Sequence, residues 1–203
     1  QEINHTREHV AFNRQAVDSG YDVSRLEQQV DRDLALSRDS GPIANLAATM
    51  CLEHFTAILA HELIVDPRHL AGADQAAADL WRWHAIEEIE HKGVAYDVWN
   101  HATREWPGFQ RWLRRSLIML VVTQRFLTNR WADATELLAQ DGITGWRAHW
   151  GLAKYLFGKP GVLRRCFPAW LSYFKPGFHP WDHDDRALIG KYEGDYEAAL
   201  LPA

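Results

Sequence analysis

Cysteine is nearly absent: the 203 residues hold two, Cys51 and Cys166, which form neither a CxxC pair nor a spaced framework. That supports no zinc ribbon and fits a reducing, cytoplasmic setting. Long apolar runs are missing too. The uninterrupted apolar stretch within SLIMLVVTQRFL (116–127) is six residues, against the roughly 20 that span a bilayer. It reads as a core helix, or at most an interfacial one. There is no strong strand-like alternation, no repeat of roughly 20–50 residues and no secretory signal, which leaves an all-α chain. The first helix also lacks a cap. Gln1 opens directly into QEINHTREHVAFNRQAV, so the expectation is a chain that begins partway into an element, without an N-terminal piece.

What is present is globular: 47% hydrophobic and 24% charged residues, enough for one domain over 1–203 with a sizeable core. Ten Trp and eleven His are high for this length. The net charge of −5 hides an asymmetry, because residues 1–107 hold 9 Lys/Arg against 18 Asp/Glu and residues 108–203 hold 13 against 9. The acidic, His-rich part suits cation binding, and the basic, Trp-rich part suits an anionic or membrane-interface contact. Between 108 and 178, 11 basic residues face 3 acidic ones. Packing of the bundle by their stems and rings is the leading reading there, and peripheral membrane contact the lesser one. Overall acidity and the lack of a binding motif argue against nucleic acid.

The pattern predicts helices over 1–17, Val23–Ser37, Ile43–Val65, Gln75–Thr103 and Phe109–Gln140, with stops at SGYD (19–22), RDSGP (38–42), DPRHLAGAD (66–74) and WPG (106–108). Pro42 sits near a first helical position. Beyond Gly142 the signal weakens: Thr144–Phe157 and Leu163–Phe174 read as shorter helices, 174–185 as irregular, and Arg186–Leu201 as a last helix.

Three of these helices carry metal-type ligands. In LWRWHAIEEIEHKGVAYDVWN (80–100), His84, Glu88 and His91 fall within roughly 60° on a helix, on the side of Leu80, Trp81, Ala95, Val98 and Trp99. Buried charge persists when it is paired or binds a metal. Glu2 and His5 form a Glu-x-x-His pair with His9 on the same face, and Glu53 lies in the apolar stripe of the Ala-rich third helix beside Thr49. Ferritin-like dinuclear bundles use a Glu from each of two helices and a Glu-x-x-His from each of two others. The chain supplies one lone Glu and two Glu-x-x-His helices. The helix not accounted for is the one the abrupt start suggests. Imidazole and carboxylate without thiolate suit Fe or Mn, with Zn as an alternative.

The segments QEINHTREHVAFN, NLAATMCLEHFTAIL, WRWHAIEEIEHKGVAYDVW and FHPWD resemble the bacterial family named predicted metal-dependent hydrolases, over most of the chain. The His-x3-Glu-x2-His helix also resembles p-aminobenzoate N-oxygenases, which are ferritin-like di-iron enzymes. That second resemblance implies a metal-ligand set of Glu2, His5, Glu53, His84, Glu88 and His91, with one His as an extra ligand on one iron and a first-helix Glu unaccounted for.

The functional expectation is a ferritin-like bundle holding two Fe ions that oxidises a small organic substrate with O2 and an electron donor. Glu53 and Glu88 would be the catalytic metal-bridging carboxylates. The alternatives are the hydrolase of the family name and a non-catalytic iron-binding bundle, and a homodimer is compatible with each. Several neighbours read as bystanders. Glu90 and Asp97 point off the cluster, Glu87 lies at its edge as an outer contact, and Thr49 bonds its own helix. His9, His54 and His61 are more readily structural, and His179, His183 and Asp184 form a locally hydrogen-bonded loop.

Overall fold

The computed structural model describes residues 2–192, with backbone alone at Glu2 and Asn4. Among the described residues, eight α-helices with both ends described follow one another: α1 (Glu2–Asp18), α2 (Ser24–Arg38), α3 (Pro42–Val65), α4 (Gln75–Glu90), α5 (Val94–Ala102), α6 (Gly108–Gln140), α7 (Gly145–Ala153) and α8 (Val162–Ser172). Among the described residues there is no strand, so the chain is all-α. Residues 186–192 are helical, and the rest of the expected last helix lies outside the described residues.

Helix α3 is the axis. Pro42 occupies its first turn, where a missing N–H is harmless. Ala47, Ala57 and Ala60 keep its surface low, so α4, α5, α6 and α8 all pack on it. The main core joins Met50, Cys51 and Phe55 of α3 to Tyr96 and Trp99 of α5, Met119 of α6, Cys166 of α8 and the following Tyr173 and Phe178. A smaller cluster of Ala60, Ala85 and Ile89, backed by Leu188 and Ile189, joins α3 and α4 to the helical segment at 186–192. By length and composition α3 is apolar enough to cross a membrane. Its apolar side chains are used here to seat four other helices.

A buried Arg115 fixes the loop after α8. It donates to the Lys175 carbonyl at 2.7 Å and to the Tyr96 hydroxyl, and its guanidinium lies against the Tyr96, Tyr173 and Phe178 rings. Carbonyls and π-faces stand in for a carboxylate, which lets a charge stay buried. By contrast α2 buries nothing. It is tied to α6 by polar contacts such as Arg25–Glu136 at 2.7 Å and Asn129–Asp33 at 3.0 Å, which stabilise little at a surface.

One expectation is corrected. The predicted helix Gln75–Thr103 is two helices, broken at His91–Lys92–Gly93. His91 closes α4 with its N–H on the Glu87 carbonyl, and Val94 N then bonds the His91 carbonyl at 2.9 Å. Gly93 stands at this break. A Cβ on Gly93 would stand 2.9 Å from Trp181 Nε1 and 3.0 Å from its Cδ1, so the indole occupies the space a side chain would need. Gly93→Ala should therefore cost about 1–3 kcal/mol through overpacking, read as a lowered thermal midpoint, although alanine favours helix locally. The break also turns Val98, expected on the inner face, outward to half-exposure, while Ala95 and Trp99 stay buried.

Candidate metal centre

Helix α1 reaches α4 through rings. His5 packs edge-on against Trp83 with centroids 5.2 Å apart, and His9 and Phe12 meet Trp81 at 5.8 and 5.6 Å. His5 is buried as a result. Its Nε2 lies 2.6 Å from Glu87 Oε2, and its Nδ1 lies 3.9 Å from Glu88 Oε1. Donor atoms of His5, Glu88 and His91 all fall within 4.8 Å of one another. That is the spacing of groups that can share one cation. The set stands at the C-terminal end of α4, where unpaired carbonyls favour positive charge.

His84 borders the set. Its Nδ1 is 3.3 Å from both His5 Nε2 and His9 Nε2, and its Nε2 is 3.6 Å from Glu88 Oε1. Burial, only partly offset by Glu88, lowers the His84 pKa to about 4. Burial and the nearby His5 lower that of His9 as well. Both shifts favour the uncharged ring, the form in which imidazole binds a metal.

The remaining candidates divide. Glu53 turns its carboxylate to the first turn of α5, where Oε2 accepts the Ala95 N–H at 3.3 Å. A carboxylate is stabilised there by the unpaired amides of a helix start. The Glu2 side chain lies outside the described residues. Thr49 bonds the Asn45 carbonyl of its own helix at 3.0 Å. His179 caps its loop with Asp182 and pairs at 3.0 Å with the exposed Asp97 of α5, 82 residues earlier in the chain.

Glu87 is the residue the sequence undervalued. Its helical angle places it at the edge of the face, and α1 packs His5 on that edge, beside Trp83 one turn earlier on α4. A second group went unread altogether: Lys92, His61 and Asp185 meet on the other side of the α4–α5 junction.

No curated protein and no solved structure matches the chain. Residues 1–184 do match a family model described as a predicted metal-dependent hydrolase. The donor chemistry fits that description, since two imidazoles and a carboxylate gather with two further histidines beside them. The chain belongs to this family of predicted metal-dependent hydrolases.

Proposed function

We propose that the protein is a metal-dependent hydrolase that holds its cation on His5, Glu88 and His91. The observation that carries this reading is the convergence of those three donor groups from α1 and the end of α4. Two His and one Glu are also the protein ligands of several hydrolytic zinc sites. A cation held there supplies Lewis acidity and an activated water. Glu87, 2.6 Å from His5 Nε2, stands beside that ring, where carboxylates behind ligating histidines stand. Uncharged His84, 3.6 Å from Glu88, is placed to take a proton or to fill a further ligand position. In this reading Glu53 holds the start of α5.

The test is direct. Chelated protein reloaded with zinc or manganese should hydrolyse members of an ester and phosphoester panel, and chelation should abolish the activity. Full metal occupancy without turnover of any member would overturn the assignment.

A second reading rests on the same donors. Two His and one carboxylate also make the site of non-haem Fe(II) oxygenases, and Glu53 with Glu2 would extend it to the di-iron, ferritin-like arrangement that the p-aminobenzoate N-oxygenase resemblance suggests. Anaerobic loading with Fe(II) followed by O2 separates the two readings, because only the oxygenase gives a transient visible absorption and consumes O2.

A further inference from the structure

Beyond the α4–α5 junction, on the Lys92 side, lies a cavity of about 300 Å³ walled by α3, α8 and the 180–185 loop. At its base Asp185 serves two cationic groups at once. One carboxylate oxygen takes the buried Lys92 ammonium at 2.6 Å, and the other lies 2.8 Å from His61 Nδ1. Lys92 is fully engaged, because it also donates to the His183 carbonyl at 2.6 Å and lies over the Trp181 ring. The bond to Asp185 fixes His61 by Nδ1, so the half-exposed ring has Nε2 left for a ligand. The same bond raises the His61 pKa despite its partial burial.

The charges do not balance when His61 is protonated. Two cations then share one carboxylate, leaving about one positive charge at the base of the cavity. The other lining acids cannot supply the missing charge. Glu62 is bonded to Arg165 at 2.5 Å, and Asp184 is paired with Arg186 at 3.0 Å. Arg165 uses Nε for Glu62 and is itself more than a third exposed, so its fork still has donors to offer. His54 adds an independent sign of a ligand. It lines the same cavity and is 2% exposed, and one ring nitrogen is engaged by the Ala169 backbone while the buried Nε2 has no hydrogen-bond partner. A buried polar atom without a partner in a native fold calls for an explanation. Among the described residues, three donor atoms gather at cation spacing in the His5–Glu88–His91 set alone, so a second metal is not the explanation here.

We propose that this cavity binds a small oxyanion, the carboxylate or phosphate group of a ligand, seated on His61 Nε2 and the Arg165 guanidinium. The anion completes the charge that Asp185 leaves unmatched. Charge-assisted hydrogen bonds of this kind are among the stronger polar contacts.

The experiment is a titration of the full chain with inorganic phosphate and, separately, with acetate, followed through the histidine ring resonances and by calorimetry. It is run on chelated and on zinc-loaded protein, so the outcome does not depend on the metal assignment. A saturable shift of the His61 ring is expected in both forms. His61→Gln and the rim variant Arg165→Gln should each weaken binding about tenfold or more, the loss of one charge-assisted bond. Phosphate binding alone would assign a phosphorylated ligand, and binding of both anions would assign a carboxylate or smaller oxyanion. A His61 ring that does not respond at high millimolar phosphate, or binding unchanged in both variants, overturns the proposal.

Discussion

Glu88→Ala should empty the centre. Removing the one carboxylate of the His5–Glu88–His91 set is expected to weaken metal binding by more than about 100-fold, beyond the 10–100-fold typical of losing an outer partner. Elemental analysis after dialysis should then find the variant metal-free while wild type retains its ion. Glu87→Gln, which leaves the donors in place but loosens the hold on His5, should fall in the 10–100-fold range. Glu53→Gln should keep wild-type metal content, because Glu53 lies outside the His5–Glu88–His91 set and one of its oxygens accepts the Ala95 N–H. A drop from two ions to one in that variant would instead make Glu53 a ligand and restore the dinuclear arrangement. Retention of metal by Glu88→Ala would put the centre elsewhere.

The largest stability effect is expected at Lys92→Met. It deletes one member of a buried ion pair and leaves Asp185 with only the half-exposed His61, a change of the kind that costs about 3–5 kcal/mol. In a domain of this size that corresponds to a fall in thermal midpoint on the order of 10 °C. Adding Asp185→Asn should recover part of the loss, because the orphaned charge goes with it, and the non-additivity of the pair measures their coupling. The pH profile should follow the two titrating partners. Burial alone would raise the Asp185 pKa, but the hydrogen bonds from His61 and Lys92 lower it on balance. Its stabilising contribution is present above the ordinary carboxylate pKa and is lost as pH falls through the depressed one. For His61 the shift is upward, led by its bond to Asp185. Its contribution is full below 6.5 and is lost as pH rises through the raised value. Discounted for the exposure of His61, that second component is small. The wild-type advantage over the double variant should therefore peak in mildly acidic buffer.

Helix positions were readable because stops such as Ser40–Gly41–Pro42 and Trp106–Pro107–Gly108 are local chemistry. The two Glu-x-x-His spacings exposed the histidine cluster for the same reason, since a fixed helical period converts sequence distance into direction. Other features depended on contacts that sequence distance does not encode. Gly93 stands at the break of the long helix, where Trp181, far along the chain, occupies the space a side chain would need. Asp185 meets His61 across 124 residues, and nothing near either residue announces the other. Glu53 has the spacing of a ligand, and its contact with the Ala95 N–H could not be read without the position of α5.

The attachment of α1 has a mechanical consequence. That helix leaves Ile3, Val10 and Val17 facing solvent and meets α4 by the rings around His5. An ion held by His5 together with Glu88 and His91 would be a cross-link between chain segments some 80 residues apart, closing a loop much as a disulfide does. Part of its binding energy would then go into anchoring the N-terminal helix. Depletion should release α1 as a separate cooperative unit while the assembly around α3 stays folded, so the protein would lose its site well before it loses its core.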